Sequence, residues 1–397
     1  MKFKLPLARP DITDLEREKV MEVLRTPDLS LGPRLPEFEE KFAAYVGSKH
    51  AVAVNSGTSG LHLCVRALGL KEGDEVITTP FSFIASANCL LFERVKPVFV
   101  DIDESIYNVD TYKLEDRIKS VRKTGKRRKI KGILPVHVFG RPCEMSEILE
   151  LAGQYDLPVI EDACEAVGSE VQVPDRRGDG ISWKKAGTFG ACGVFAFYPN
   201  KQMTTGEGGM IVTDDKKVAG LCRSLRNQGR AAGSAWLQHA RLGFNYRLSD
   251  INCALGIAQL ERLGDIIANR ERVARLYAEK LKEIPEIIAP PFEPGKKISW
   301  FVYVVRLARR FRRRDRDLVL EKLRKAGIGC SNYFSPIHLQ PFYRRQFGYK
   351  KGDFPVTERV SERTIALPFH NHLTPGEVDF VGETLKKILK SLGTRSA

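Results

Sequence analysis

The chain has 397 residues, of which 43% are hydrophobic, so it is long and apolar enough to bury the cores of two domains. No apolar run approaches the length of a membrane-spanning helix, which argues against that class of protein and favours a soluble one. The formal net charge of +15 is typical of proteins that bind nucleic acid, so that function has to be compared with the one that the motifs indicate.

Short apolar segments alternate with helical patterns along the chain, with strands expected at residues 51–54, 75–79, 97–101, 132–138, 158–162 and 193–197. This alternation is typical of a mainly parallel sheet flanked by helices. Helical spacing at residues 248–260 and 264–275 precedes a strand-like alternation at 300–306, which predicts a smaller C-terminal α/β domain. We therefore expect a large domain of residues 1–265, including the N-terminal segment, and a small domain of residues 266–397.

The segment 51–62 runs from an apolar alternation into small and hydroxyl residues. It predicts a strand, a tight turn and a helix N-terminus, with Gly57, Thr58 and Ser59 in the turn. Free amides and the positive end of the helix dipole suit a phosphate group at this position. Many similar turns bind nothing, so the segment needs support from other motifs. His62, on the expected helix, is interpreted as structural.

Residues 157–165 form a short apolar strand that ends in two acids, Glu161 and Asp162. A carboxylate at this point can pair with the pyridinium nitrogen of pyridoxal phosphate and keep it protonated, so that the ring acts as an electron sink. The alternative is a helix N-cap, because an acid between a strand and a helix also binds free backbone amides. Taken alone, the position of Asp162 favours the N-cap interpretation.

Residues 195–210 place Lys201 between an apolar, aromatic run and a glycine-rich turn. Desolvation beside a strand end favours the neutral amine, which can attack an aldehyde and form a Schiff base. A solvated loop lysine is the common alternative. The three motifs together supply a phosphate cradle, a ring-nitrogen partner and an imine-forming amine.

Over nearly its whole length, the sequence resembles the DegT/DnrJ/EryC1/StrS family of pyridoxal phosphate-dependent nucleotide-sugar aminotransferases. The matching segments are residues 32–33, 38–39, 55–58, 80–83, 161–163, 195–210, 223–229, 243–250, 336–341 and 352–355. The resemblance implies the type I, aspartate aminotransferase-like fold and a cytoplasmic homodimer with shared active sites. It also implies ping-pong transfer of an amino group, with L-glutamate as the donor, to a keto group of a nucleotide-linked sugar. Such a reaction serves the biosynthesis of amino sugars or surface polysaccharides.

The resemblance carries roles over to individual positions. Lys201 would hold the cofactor and then act as general base, leaving the pyridoxamine form after the first half-reaction. The other implied cofactor contacts are Asp162 at the ring nitrogen, Phe83 stacked on the ring, Gly57 and Thr58 at the phosphate, and Asn245 reaching the phosphate from the neighbouring subunit. Without the resemblance, Phe83 would be interpreted as a core residue and Asn245 as a loop residue or helix cap.

Three positions depart from the family pattern, and one of them is Val167, which replaces a histidine found in several members. Ala196 stands where many members have a serine that contacts the phosphate. Glu165 stands where a glutamine is common beside the phenolic oxygen of the cofactor, and a carboxylate there has to be protonated or otherwise compensated. His338, in the segment 335–341, is either a substrate-pocket residue or a capped turn histidine, and both interpretations stay open.

Three other functions compete with that of an aminotransferase. Dehydratases of the family carry histidine in place of the lysine, so Lys201 argues against that activity. A catalytically silent regulator that binds the cofactor or a nucleotide sugar is the alternative from a different class. Nucleic-acid binding rests on basic runs at residues 117–131 and 309–316, which have no recognised binding motif and are interpreted as solvated.

The cysteines are scattered, without the spacing of a metal site, and no metal is expected. In a chain without an evident signal peptide they indicate reduced packing residues of a cytosolic protein. They are Cys64, Cys89, Cys143, Cys164, Cys192, Cys222, Cys253 and Cys330.

Overall fold

The computed structural model describes residues 3–123, 130–175, 180–231, 233, 235 and 238–393. Its helices are α1 (Asp14–Leu24), α2 (Arg34–Val46), α3 (Gly57–Ala67), α4 (Ala85–Leu91), α5 (Thr111–Lys123), α6 (Met145–Tyr155), α7 (Lys216–Arg226), α8 (Asp250–Glu261), α9 (Leu263–Leu281), α10 (Arg313–Lys325), α11 (Pro341–Phe347), α12 (Pro355–Ser361) and α13 (Pro375–Gly393). Its strands are β1 (His50–Val54), β2 (Glu75–Thr78), β3 (Lys96–Phe99), β4 (Ile130–Ile133), β5 (Ile160–Asp162), β6 (Glu170–Pro174), β7 (Ile181–Lys185), β8 (Cys192–Ala196), β9 (Gly209–Thr213), β10 (Ile287–Ile288), β11 (Lys296–Lys297), β12 (Tyr303–Leu307) and β13 (Thr364–Leu367).

One sheet organises the large domain. Two ladders, ordered β1-β9-β8-β5 and β4-β2-β3, are joined by parallel bridges from Ile133 to Val159 and from Val136 to Asp162. The order across the sheet is therefore β1-β9-β8-β5-β4-β2-β3. Strand β9 runs antiparallel to both of its neighbours, whereas the remaining pairings are parallel. The predicted mainly parallel sheet is confirmed, and β9 is the element that the sequence reasoning did not identify.

The fourth expected strand, residues 132–138, differs from the structure. Strand β4 ends at Ile133, and the chain then passes Pro135 into a short 3-10 turn at Val138–Gly140. Proline has no amide hydrogen to continue the ladder, so regular pairing stops there. This early end bends residues 135–141 across the end of the sheet, toward Asp162, whose amide donates to the Pro135 carbonyl at 2.9 Å.

The small domain is built on the antiparallel sheet β10-β12-β13, covered by α9, α10 and α13. Of the N-terminal segment, which is predicted to belong to the large domain, the residues around Leu5 pack here, whereas α1 and α2 pack against α8 of the large domain. The Leu5 amide donates to the Gly327 carbonyl at 3.1 Å, and the Leu5 side chain is buried in this second core. The division at residue 265 stays a prediction, because α9 runs continuously through it.

The second basic run is only partly solvated. Arg309 and Arg310 are exposed and form ion pairs with Glu104 and Glu286 at 3.0 and 2.8 Å. Arg316 is buried, and it donates to the Asp317 carboxylate and to the Ser361 carbonyl. Several of these arginines therefore stabilise the fold itself. Of the first run, residues 124–129 lie outside the described part of the chain.

The cysteines are all free thiols, and every one except Cys164 is buried. They pack against the hydrophobic side chains of both domains. Among the helices that the structure describes, none combines the length and the apolar character that crossing a bilayer requires.

Candidate active site

A cavity of about 530 Å³ opens where β1, β5 and β8 end. In an open α/β sheet, ligands bind outside the carboxyl ends of the strands. The large domain contributes the three predicted motifs to its wall, including Gly57, Asp162 and Lys201. The small domain closes the opposite side with Phe301, Asn332, Tyr333 and Phe334. Segments far apart in sequence thus meet in one cavity, which can hold a bulky planar cofactor.

The predicted phosphate turn follows β1. Ser56 caps helix α3, and its hydroxyl accepts the Ser59 amide at 3.1 Å. Gly57 begins the helix at a tightly packed position, since a Cβ atom there would lie 2.7 Å from Cys164 Sγ and 2.8 Å from Ala196 Cβ. Amides in the first turn of a helix have no partner within the helix and favour an anion. Gly57 and Thr58 both line the cavity, as a phosphate site requires.

Replacing Gly57 by alanine is expected to weaken cofactor binding roughly tenfold or more, because overpacking displaces the turn from Cys164 and Ala196. The measurement is a titration of the protein with pyridoxal phosphate, followed by absorbance. Gly153→Ala is the matched control, because a Cβ atom at Gly153 meets nothing within 4 Å. That variant should keep the wild-type affinity. An unchanged affinity of the Gly57→Ala variant would contradict the assignment of the turn.

Asp162 lies at the end of β5 with its carboxylate held by two donors. Its Oδ2 atom accepts the Ser86 hydroxyl at 2.6 Å, and its Oδ1 atom accepts the Cys164 amide at 3.1 Å. The next described element is strand β6, so Asp162 has no helix to cap. The N-cap alternative therefore fails. Its carboxylate borders the cavity and fits a cationic ring nitrogen.

Lys201 follows β8 in a turn in which its amide donates to the Tyr198 carbonyl at 2.9 Å. The side chain is mostly buried, and Nζ lies 3.7 Å from Glu165 Oε1 and 3.9 Å from the ring centroid of Phe301. The amine is thus inside the cavity, which excludes the solvated-loop alternative. A carboxyl group on one side and an aromatic face on the other restrict where Nζ can move.

Glu165 is buried beside Lys201. Burial raises the pKa of the Glu165 carboxyl above its usual range, and although Lys201 and the Phe139 amide act against this, the negative charge of Asp162 adds to it. Its Oε2 atom accepts the Phe139 amide at 2.8 Å. A carboxyl group with a raised pKa more readily keeps a proton, which it can donate to an oxygen anion. The departure from glutamine is therefore chemically compatible with a phenolic oxygen nearby.

Phe83 and Asn245 are both exposed in this chain. Phe83 borders the cavity with 62% of its surface accessible, so its ring is not the core residue of the alternative interpretation. Asn245 does not line the cavity of its own chain; its backbone carbonyl accepts the Asn55 side-chain amide at 3.4 Å. The roles of both residues stay predictions, and that of Asn245 requires a second subunit.

His338 is not brought to the cavity. It is fully buried, with Nε2 3.0 Å from Glu358 Oε1, and its ring packs 4.7 Å from that of Phe354. Burial lowers the pKa of His338. This position favours the structural interpretation over the substrate-pocket interpretation, because no face of the ring is open to a ligand.

Several residues that line the cavity were not predicted from the sequence. Ser86 holds Asp162, and its position three residues after Phe83 was the available signal. Asn200 precedes Lys201, and its buried Oδ1 atom has no hydrogen-bond partner, so it offers an acceptor to a ligand. Phe301 and Tyr333 come from the small domain, and no local pattern marked them.

The chain is similar to known proteins over nearly its whole length. The model of the DegT/DnrJ/EryC1/StrS aminotransferase family matches residues 10–386. The chain is 38% identical over 389 residues to the GDP-perosamine synthase of Caulobacter vibrioides, covering 97% of this chain and 98% of that protein. It is 36% identical over 396 residues to the spore coat polysaccharide biosynthesis protein SpsC of Bacillus subtilis, covering 97% of each.

A solved structure supports the fold. Helicobacter pylori PseC, an aminotransferase involved in the biosynthesis of pseudoaminic acid, superposes with a TM-score of 0.88 at 29% identity, covering 98% of this chain and 99% of that one. This match confirms the predicted type I, aspartate aminotransferase-like fold.

Proposed function

Because the chain belongs to the DegT/DnrJ/EryC1/StrS aminotransferase family, we propose that it moves an amino group from L-glutamate to a keto group of a nucleotide-linked sugar. Membership confirms three predictions made from the sequence, namely the family, the aminotransferase activity and the dependence on pyridoxal phosphate. The donor, the nucleotide-linked acceptor and the ping-pong order are the proposal. Its product would serve the biosynthesis of amino sugars or surface polysaccharides.

The observation that carries the proposal is the position of Lys201 Nζ, inside a cavity that also contains the Asp162 carboxylate and the turn at Gly57. A regulator that only binds the cofactor has no need of an amine in that position. The family dehydratases have histidine there, and this chain has lysine. Both alternatives are therefore weaker than the transaminase.

The residues fit pyridoxal phosphate, since Gly57 and Thr58 line the cavity at the N-terminus of a helix, where amides favour an anion, and Asp162 presents a carboxylate to a ring nitrogen. Gly57 and Thr58 would hold the phosphate, and Phe83 would cover one face of the ring. Once bound, the cofactor withdraws electrons from the carbon that carries the amino group. Lys201 Nζ would act as general base and acid, moving a proton between that carbon and the former aldehyde carbon of the cofactor, which lies on the other side of the nitrogen. Glu165 would keep a proton for the phenolic oxygen.

The proposed substrate class rests on the relatives. One of them is named GDP-perosamine synthase, and another is a polysaccharide biosynthesis protein. The cavity wall formed by Phe301, Tyr333 and Phe334 offers aromatic faces to the apolar side of a sugar ring, which aromatic rings can cover. The buried acceptor on Asn200 would add a polar contact.

We also propose a homodimer with shared active sites. Asn245 is exposed and does not line the cavity of its own chain, as expected for a residue that acts in a partner. Leu242, three residues earlier, is 74% exposed, and Phe83 at the cavity edge is similarly uncovered. Apolar side chains that are exposed in one subunit can be covered when a second subunit packs against them. A cytoplasmic location completes the proposal, because the eight free thiols suit a reducing compartment.

Excess L-glutamate is expected to replace the visible absorbance band of the lysine-bound cofactor with the ultraviolet band of pyridoxamine phosphate. A nucleotide-linked keto sugar should then restore the visible band, as two separate half-reactions require. A visible band that glutamate leaves unchanged would overturn the choice of donor. If no visible band formed with added pyridoxal phosphate, Lys201 as the attachment point would be wrong.

A further inference from the structure

Arg270 is a buried arginine of helix α9 that touches the backbone of two cavity residues. Its Nη2 atom donates to the Lys201 carbonyl at 3.0 Å, and its Nη1 atom donates to the carbonyls of Trp300 and Phe301 at 3.1 and 3.2 Å. Only 4% of Arg270 is exposed. One guanidinium therefore joins the turn that carries Lys201 to the segment that carries Phe301.

The charge of this guanidinium is poorly compensated. Burial lowers the pKa of Arg270 to about 10, against the weaker opposing effect of Asp11, so the group stays protonated at neutral pH. Among the described residues, no carboxylate forms an ion pair with it. Its neighbours are carbonyl dipoles and the Phe369 ring, 5.5 Å from Cζ. Burying a charge without a counter-ion is costly, so a packing role alone is a weak explanation for arginine here.

Lys201 and Phe301 belong to different predicted domains, yet their side chains meet at 3.9 Å. Small changes in the relative position of the two segments would move the Phe301 ring off Nζ. A planar guanidinium with several fixed donors is well suited to hold separate carbonyl groups in one geometry. Arg270 binds the Lys201 carbonyl and the two carbonyls of Trp300 and Phe301 at once and thereby fixes the distance between the two segments.

We propose that Arg270 is a positioning residue that holds the Lys201 amine against Phe301 and Glu165 by binding the main chains of Lys201 and Phe301 together. The proposal rests on the proposed role of Lys201 as the reactive amine. In addition, Arg270 places a buried positive charge beside the main chain of Lys201, and because like charges repel, its removal is expected to favour the protonated form of the lysine-bound cofactor.

Arg316 provides the matched control. It is also buried, and it also donates to main-chain carbonyls, those of Ser361 and Thr364, but it pairs with the Asp317 carboxylate within the small domain. Replacing either arginine by methionine removes a buried guanidinium and its carbonyl contacts. Only the Arg270 change affects the segments that meet at the amine.

The experiment compares Arg270→Met, Arg270→Lys and Arg316→Met with the wild type, all loaded with pyridoxal phosphate. In Arg270→Met we expect kcat to fall roughly 10- to 100-fold, as small displacements of catalytic groups do, with a smaller change in KM. The pH midpoint of the visible band should rise by roughly half to one unit, because a nearby positive charge is lost. Arg270→Lys keeps the positive charge, so its pH midpoint should lie close to the wild-type value, whereas its kcat should stay below that of the wild type. Arg316→Met should lose thermal stability, while its kcat and its pH midpoint stay at the wild-type values.

A purely structural role predicts that both methionine variants lose stability while the midpoint stays at the wild-type value, and that result would overturn the proposal. Should Arg270→Met fail to fold, Arg270→Lys decides, since a wild-type kcat in that variant would also contradict the positioning role. The pH midpoint is measured without an amino donor or sugar. Failure of the proposed substrates in the wild type is therefore distinguishable from failure of this inference.

Discussion

Replacement of Lys201 by alanine is expected to lower kcat by at least about 10⁴-fold, because the same side chain attaches the cofactor and moves the proton. Alanine removes Nζ from its position between Glu165 and Phe301. The variant should still bind pyridoxal phosphate without a covalent bond, since the Gly57 turn and Asp162 are untouched. Activity is measured with glutamate and a nucleotide keto sugar. Binding is measured by titrating the variant with pyridoxal phosphate, and the visible band of the lysine-bound cofactor should be missing.

Lys185 supplies a close control for that substitution. Its Nζ atom lies 2.8 Å from a Glu170 oxygen and 4.4 Å from the ring centroid of Tyr45, so it has the same two kinds of neighbour as Lys201. It lies in strand β7, outside the cavity. Lys185→Ala should keep the wild-type kcat. If Lys201→Ala retained full transaminase activity, Lys201 could not be the reactive amine.

The sequence predicted the cofactor motifs because each one is local. Asp162 ends strand β5, and Gly57 and Lys201 come three and five residues after the ends of β1 and β8, so a short stretch of residues includes both the strand and the functional group. The carboxyl ends of β1, β5 and β8 lie at one edge of the sheet, which brings these three stretches together without any further information. That is why the candidate cofactor site followed from motifs alone.

The remaining parts of the site depend on contacts between distant segments. Phe301 reaches Nζ of Lys201 only because the small domain packs against the large one, and Arg270 fixes that contact through backbone carbonyls, which have no signature in the sequence. His338 shows the converse, since a good motif match left a substrate-pocket role open, whereas Glu358 holds its ring in the core. The crossing of Leu5 to the small domain is another tertiary contact that no local pattern records.

Asp162→Asn is expected to lower kcat roughly 10²- to 10³-fold, in line with the loss of a buried charge partner. The substitution keeps the size of the side chain and a potential acceptor for the Ser86 hydroxyl, so the cavity should keep its shape. What changes is the negative charge, without which the ring nitrogen of the cofactor holds its proton less firmly and the ring withdraws fewer electrons. Affinity for pyridoxal phosphate should fall less than kcat, because the phosphate turn remains.

Asp101 is the control that separates the ring-nitrogen role of Asp162 from a purely structural role. It is a buried acid shortly after β3 whose carboxylate accepts the amides of Val356 and Thr357 at 2.9 and 2.8 Å, at the N-terminus of α12. Asp101→Asn weakens two charge-assisted bonds and should cost about 1 kcal/mol of stability, with kcat unchanged. Asp162→Asn should show the opposite pattern, a large loss of kcat at nearly constant stability. If the two variants behaved alike, Asp162 would be a structural acid.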